Sequence, residues 1–156
     1  MTRVLFVCTG NICRSPTAEG VARHFIDTGG LGDLIEVDSA GTHGYHVGEA
    51  PDPRTRKVAQ QRGYDLSALR ARKLEVFDFQ RFDLVLAMDR GHLEAMRRLC
   101  PEVYRPRLAL FMDYAPDSAF DEVPDPYYGG PRGFDVVLDM CESGVRGLLD
   151  TLSART

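Results

Sequence analysis

The sequence predicts an α/β fold, in which a four-stranded parallel sheet carries helices on both faces. Short β-prone apolar runs alternate along the chain with segments of helical periodicity, and this is the order from which parallel sheets are built. The chain has 156 residues, of which 44% are hydrophobic, so it can bury one core without disulfides. We therefore expect a single domain over residues 1–156, a three-layer sandwich of the flavodoxin-like or Rossmann-like type.

The first strand and the first helix follow each other at the start of the chain. Residues 3–7 are a short β-prone run, and from Ser15 the apolar residues take up helical spacing. The apolar positions on one face of this helix are Ala18, Val21, Ala22 and Phe25. Residues 35–40 predict the second strand.

Helix-capping residues mark the next two helices. Asp52 is a predicted N-cap, Pro53 occupies the first helical position, and Gly63 ends the helix. Residues 82–88 are apolar on both faces, as a central parallel strand should be. Asp89 then caps the following helix.

The last predicted elements are a strand over residues 107–111 and a helix over residues 134–152, separated by an acidic, proline-rich stretch. Ligands of doubly wound sheets bind beyond the carboxyl ends of the strands. Residues 8–15 lie at that edge, so this loop is the predicted site.

Composition excludes several classes of function. The 19 basic and 23 acidic residues give a net charge of −4, which argues against a nucleic-acid or membrane-surface binder. The sequence shows no signal-peptide pattern and no membrane span, so we expect a cytoplasmic protein. The four cysteines and four histidines form neither a disulfide framework nor a metal-ligand spacing. We expect reduced thiols, no metal and no cofactor.

The loop after the first strand has the composition of an anion cradle. Its backbone N–H groups, the dipole of the following helix and the Arg14 guanidinium would hold a tetrahedral dianion. The same positive field favours the thiolate form of Cys8, which would be a nucleophile for in-line attack on a bound phosphate. The other predicted phosphate-binding residues are Thr9, Gly10, Asn11, Ile12, Cys13 and Ser15.

The leaving oxygen departs more easily when it is protonated, so the chemistry also needs a carboxylic acid facing the thiolate. The residue pattern leaves four aspartates in proline-containing loops as candidates: Asp52, Asp117, Asp121 and Asp125. A Walker-type nucleotide loop would need a lysine that the sequence lacks, so binding of ATP or GTP is disfavoured.

Four motifs together resemble one family. "CTGNICRSP" (residues 8–16) resembles the signature of the low-molecular-weight protein tyrosine phosphatases, and "DSAGT" (38–42), "MD" (88–89) and "DPYYG" (125–129) resemble its further motifs in the same order. The resemblance implies hydrolysis of phosphotyrosine through a phosphocysteine intermediate. It implies Cys8 as nucleophile, Arg14 as phosphate clamp and Asp125 as general acid and then base.

The resemblance also implies supporting roles. Ser15 would hydrogen-bond to the Cys8 sulfur, and Asn11 and Ser39 would hold the loop in shape. Family members often carry a histidine in an H-x-A-R pattern that supports the loop asparagine, whereas this sequence has Leu69 there. The partner of Asn11 is therefore open.

Three tyrosines are predicted to bind the substrate. Tyr127 and Tyr128 would form one aromatic wall for the substrate ring, and Tyr45 resembles the aromatic residue of the opposite wall. Such a slot would favour phosphotyrosine over the shorter phosphoserine. The expected partners are phosphotyrosine-containing proteins, with inorganic phosphate or other oxyanions in the loop, and we expect a monomer.

The main alternative is a thiol-dependent arsenate reductase, because arsenate is isosteric with phosphate and that class shares the fold. Such enzymes add relay cysteines to pass on a disulfide, and here Met88 stands where the first would be. A non-catalytic phosphopeptide binder and a sugar-transport component with a phosphocysteine are further alternatives. Cys13 allows a disulfide with Cys8 under oxidation.

Overall fold

The computed structural model describes residues 1–154 and contains one four-stranded parallel sheet in the order β2-β1-β3-β4. The strands are β1 (Thr2–Cys8), β2 (Ile35–Gly41), β3 (Leu84–Ala87) and β4 (Leu108–Leu110). The α-helices are α1 (Arg14–Thr28), α2 (Pro53–Gln61), α3 (Asp78–Arg81), α4 (Arg90–Leu99) and α5 (Gly133–Ser153). The predicted α/β class and the parallel sheet are confirmed.

The central strand β1 feeds two cores, because successive side chains of a strand point to opposite faces. Val4, Phe6 and Cys8 face the core formed with α1, α2 and α5. Leu5 and Val7 face a second core with α3 and α4. The helices therefore cover both faces of the sheet, as predicted.

The predicted caps are confirmed. The Asp52 side chain accepts a hydrogen bond from the backbone N–H of Arg54, and the Asp89 side chain accepts one from the backbone N–H of His92. Both carboxylates satisfy helix N–H groups that have no partner within their own helix. The third strand is shorter than predicted, because residues 82–83 precede β3 and do not belong to it.

The fourth predicted strand and the acidic stretch differ more from expectation. Only Leu108–Leu110 pairs with β3, because the preceding Glu102–Arg107 forms a 3₁₀ helix. Further 3₁₀ turns lie at Phe111–Tyr114, Pro126–Tyr128 and Gly130–Arg132, within or beside the acidic, proline-rich stretch.

Parallel pairing brings the carboxyl ends of three strands to one edge. Cys8 pairs with Gly41 at the ends of β1 and β2, and Val7 pairs with Ala87 at the end of β3. The loops after these strands are therefore neighbours. Among the helices of residues 1–154, none has both the length and the apolar character needed to cross a bilayer.

Candidate active site

The loop between β1 and α1 wraps tightly around a small concavity. Asn11 has φ +58°, a left-handed conformation that asparagine tolerates better than most residues. Gly41 of β2 lies directly against the loop, and a Cβ there would come 2.7 Å from the carbonyl oxygen of Thr9. The backbone N–H of Thr42 donates to the Cys8 carbonyl at 2.8 Å. The "DSAGT" segment thus forms one wall that shapes the loop.

The loop amides are left available for an anion. In the part of the chain that the structure describes, no hydrogen bond engages the backbone N–H groups of Gly10, Asn11, Ile12 or Cys13. These groups lie at the N-terminus of α1, which has 15 residues and carries a partial positive charge at that end. The arrangement is suited to holding a tetrahedral oxyanion.

A cavity of about 120 Å³ opens above this loop. Its lining consists of Cys8, Thr9, Gly10, Ile12, Cys13, Arg14, Tyr45, His46, Asp125 and Tyr127. The cavity therefore brings together Cys8, Arg14 and Asp125, which the sequence predicts as nucleophile, phosphate clamp and general acid. Of the four candidate aspartates, only Asp125 is in this lining.

Some predicted residues lie elsewhere. Asn11, Ser15 and Ser39 are buried and do not belong to the cavity lining. Tyr45 and Tyr127 both belong to the cavity lining, whereas Tyr128 is 88% exposed and outside it. Direct contact of Tyr128 with the substrate stays a prediction.

A buried hydrogen-bond network supports the Cys8 sulfur. Ser15 Oγ lies 2.9 Å from Cys8 Sγ, and Asn11 Nδ2 donates to Ser15 Oγ at 2.8 Å and to Ser39 Oγ at 2.9 Å. Ser15 Oγ accepts from the amide, so its own proton can be donated either to the sulfur at 2.9 Å or to the Ala40 carbonyl oxygen at 3.5 Å, and the sulfur is the nearer acceptor. Ser39 in turn donates to Glu19 Oε1 at 2.6 Å. Burial raises the pKa of Glu19, while the hydrogen bond from Ser39 opposes that shift.

The backbone of Arg72 provides the partner of Asn11 that the sequence left open. Its backbone N–H donates to Asn11 Oδ1 at 3.0 Å, which fixes the orientation of the amide. The Arg72 guanidinium pairs with both oxygens of Asp78 at 3.0 Å and with Asp38 at 3.2 Å. These ion pairs hold the backbone of Arg72 in place. Leu69 only packs against the adjacent core.

Arg14 is held along one edge. Its Nη1 donates to Asp89 Oδ2 at 3.0 Å and to the carbonyl oxygen of Val123 at 3.2 Å. The guanidinium is almost fully buried, so it stays fixed beneath the cavity. Asp89 is the N-cap of α4, and Val123 lies two residues before Asp125 in the chain.

The loop that carries Asp125 and Tyr127 is anchored to the start of α2. Asp125 Oδ1 accepts from the backbone N–H of Tyr127 at 3.0 Å, and Tyr127 OH donates to Asp52 Oδ2 at 2.9 Å. Burial acts to raise the pKa of Asp52, but hydrogen bonds from Arg54 and Tyr127 outweigh burial and hold this pKa below its usual value. Asp52 also receives both Arg54 Nε and Nη2. Asp52 is therefore a loop anchor.

Cys13 shares the cavity with Cys8 but is in a different environment. Burial raises the pKa of Cys13 to about 11, although a hydrogen bond with Thr55 opposes the shift. Cys13 is therefore a neutral thiol at neutral pH. Cys100 and Cys141 are buried in the two cores.

Asn11→Ala is expected to lower both kcat and stability. It removes three hydrogen bonds, two of them buried, and places alanine at a positive φ, a combined cost of about 2–4 kcal/mol in the free energy of unfolding. Thermal unfolding and steady-state kinetics with an aryl phosphate would measure both effects.

Asn11→Gly is the matched control, since glycine accepts the positive φ but lacks the amide. If the amide network matters, both variants lose activity to a similar extent. Wild-type activity in the glycine variant would reduce the role of Asn11 to its backbone conformation.

Four further residues contact the predicted site residues: Asp89, His92, Arg72 and Glu19. The sequence predicts Asp89 only as a helix cap and predicts no site role for the other three. Asp89 belongs to the "MD" motif, and His92 stands three positions after it, the spacing at which a side chain folds over a helix N-cap. This spacing is the sequence feature that could have indicated the contact between Asp89 and His92.

Comparisons with known proteins point to one family. A sequence model of the low molecular weight phosphotyrosine protein phosphatases matches residues 3–156. A low molecular weight protein-tyrosine-phosphatase of Streptomyces coelicolor is 51% identical over 150 residues, covering 94% of this chain and 91% of the relative. The human low molecular weight phosphotyrosine protein phosphatase is 36% identical, covering 94% and 93%.

A solved structure is also similar over nearly its whole length. The protein tyrosine phosphatase of Entamoeba histolytica, crystallised with Hepes in its active site, superposes with a TM-score of 0.94 at 40% identity and covers 99% of this chain and 98% of that one. The resemblance seen in the four motifs is confirmed. The chain belongs to the low molecular weight phosphotyrosine protein phosphatase family.

Proposed function

We propose that this protein hydrolyses phosphotyrosine in proteins in two steps, through a phosphocysteine intermediate. The observation that carries the proposal is the convergence of Cys8, Arg14 and Asp125 on one cavity above a loop with free amide groups. Each side chain supplies a different requirement of phosphoryl transfer: nucleophile, charge stabilisation and proton donation.

In the first step the Cys8 thiolate attacks phosphorus while the bond from phosphorus to the tyrosyl oxygen breaks. The Ser15 hydroxyl, 2.9 Å from the sulfur, donates to the thiolate. Asp125 gives its proton to the departing phenolate oxygen, so that neutral tyrosine leaves. The transferred group is then bonded to sulfur, and Asp125 is ionised.

In the second step a water molecule attacks phosphorus and the phosphorus–sulfur bond breaks. Asp125 accepts a proton from this water, the reverse of its first role. Inorganic phosphate leaves, and Cys8 returns to the thiolate. The loop amides and Arg14 hold the equatorial oxygens through both steps, as in-line transfer requires.

The rim supports aryl over alkyl substrates. Tyr45 stacks on His43, with ring centroids 5.1 Å apart, and Tyr127 is fixed by Asp52. A phenyl ring between these aromatics places its phosphate in the loop, whereas a serine side chain is too short to carry its phosphate so far below the rim.

Arsenate reduction is the weaker alternative. It needs a second thiol to take over the disulfide. Cys13 shares the cavity with Cys8, but burial raises the pKa of Cys13 to about 11, so it is a neutral thiol. Cys100 lies in the core on the other face of the sheet from Cys8. Burial raises the pKa of Cys141, so its thiol stays protonated.

Hydrolysis of matched phosphotyrosine and phosphoserine peptides in the presence of a chelator tests the proposal. We expect kcat/KM for the phosphotyrosine peptide to be higher by at least ~10²-fold, because only the aryl ester fills the slot. Equal rates would contradict the substrate assignment. No phosphate release from either peptide would contradict the reaction, and arsenate reduction with a thiol donor would then be assayed. The cytoplasmic location and the monomeric state stay predictions from the sequence.

A further inference from the structure

His92 lies directly behind the guanidinium of Arg14. It occupies the first turn of α4 and is 5% exposed. Its Nε2 is 2.8 Å from Thr9 Oγ1 and 3.5 Å from Arg14 Nη2, and its Nδ1 is 3.1 Å from Asp89 Oδ1. The imidazole therefore touches both a loop hydroxyl and the phosphate clamp.

We propose that His92 is a positioning residue: as a neutral hydrogen-bond acceptor, it fixes which edge of the Arg14 guanidinium faces the phosphate. The proposal rests on the proposed phosphatase function, in which Arg14 binds the transferred group. His92 would act through Thr9 and Arg14 and would not touch the substrate.

A count of donors shows which edge is free. A guanidinium has five N–H groups. The two on Nη1 are used by Asp89 and by the Val123 carbonyl, and one on Nη2 is directed at Thr9 Oγ1, 3.4 Å away. Within residues 1–154, no hydrogen bond engages Arg14 Nε. In the same part of the chain, Nη2 has only two long contacts, with Thr9 Oγ1 and, at 3.5 Å, with His92 Nε2. The edge formed by Nε and Nη2 is therefore the one left to face two oxygens of a phosphate.

Charge decides the direction of the hydrogen bonds around His92. The nearby Asp89 carboxylate favours a proton on Nδ1, which leaves a lone pair on Nε2. Thr9 then donates its hydroxyl proton to His92 Nε2 and presents its own lone pairs to Arg14 Nη2. His92 Nδ1 makes no hydrogen bond with Asp89 despite the short distance, so the hydrogen-bonded path runs from His92 Nε2 through Thr9 to the Arg14 guanidinium.

The electrostatic surroundings keep the imidazole neutral. Burial, and then the positive charge of Arg14, lower the pKa of His92 to about 4, with a smaller effect of His43 in the same direction and with Asp89 and Asp125 opposing. A protonated His92 would place an N–H against the guanidinium and against Thr9. At neutral pH the ring is therefore an acceptor.

His92→Leu tests the role, because leucine removes the hydrogen-bond acceptor and fills the space with an apolar side chain of similar bulk. We expect the inhibition constant of inorganic phosphate and the KM for an aryl phosphate each to rise roughly tenfold, since Arg14 loses its fixed edge. His92→Gln restores an acceptor near the Nε2 position and should recover most of the affinity. His24→Gln, on the exposed face of α1, is the control and should match wild type.

Coupling to Thr9 separates positioning from general packing. If His92 acts through the Thr9 hydroxyl, the effects of His92→Leu and Thr9→Val on phosphate affinity are not additive in a double-mutant cycle. Additive effects, or a His92→Leu variant with lower thermal stability but unchanged phosphate affinity, would overturn the proposal.

A spectroscopic measurement on the unmodified protein needs no variant to fold. Nitrogen-15 NMR of His92 should show a protonated Nδ1 and an unprotonated Nε2 across neutral pH. A protonated Nε2 would overturn the proposal. Phosphate binding and the NMR signature do not require turnover, so a failed phosphatase assay and a failed role for His92 give different results.

Discussion

Cys8→Ser is expected to abolish turnover while leaving the binding of oxyanions largely intact. A serine hydroxyl at this position is nearly isosteric with the thiol but stays protonated at neutral pH and is a poor nucleophile. The loop amides and Arg14, which would bind the anion, are unchanged. We expect kcat to fall at least ~10⁴-fold, while inorganic phosphate still raises the melting temperature.

Cys100→Ser provides the matched control. Cys100 is also a buried thiol, but it lies in the core on the opposite face of the sheet. This variant should keep wild-type kcat. Substantial turnover by a well-folded Cys8→Ser protein would disprove the phosphocysteine route, because no covalent intermediate could then form on sulfur.

Asp125→Ala is expected to slow phosphoryl transfer by ~10²–10⁴-fold for substrates with basic leaving groups. Without the acid, the leaving oxygen must depart as an anion. A leaving group that is already a stable anion needs little protonation, so its rate should fall far less. The expected signature is a steeper dependence of kcat/KM on the leaving-group pKa in the variant than in the wild type.

A series of aryl phosphates with graded leaving-group pKa values measures that slope. Asp121→Ala is the control: Asp121 stands in the same acidic stretch but pairs with Arg90 at 2.6 Å, outside the cavity. Equal slowing for good and poor leaving groups in Asp125→Ala would remove Asp125 as the acid. A change of slope in Asp121→Ala would transfer the role.

The structure narrows a choice that residue patterns left open. Asp52 caps α2 and binds Tyr127, Asp117 lines a different cavity, and Asp121 pairs with Arg90. Only Asp125 among the four faces the loop of Cys8. The four lie in similar sequence contexts, so their environments in the fold decide between them.

The sequence by itself determined the α/β class, the loop and the convergence of Cys8 with Arg14. These features are local: hydrophobic periodicity reports the strands and helices, and Cys8, the loop and Arg14 are consecutive, so a strand, a tight turn and a helix start bring them together. The caps at Asp52 and Asp89 follow for the same reason, since a cap acts on N–H groups two or three residues away.

Only the tertiary structure decided what surrounds that loop. The bonds from Arg72 to Asn11, from Arg14 to Asp89 and from Thr9 to His92 join residues 61, 75 and 83 positions apart. No local pattern encodes such pairs, because they form when parallel strands place their carboxyl ends side by side. Tyr127 and Tyr128 are adjacent in sequence, yet one faces the cavity and the other solvent. The 3₁₀ turn at Pro126–Tyr128 directs the two side chains differently, and the hydrogen bond from Tyr127 to Asp52 holds only Tyr127 in place.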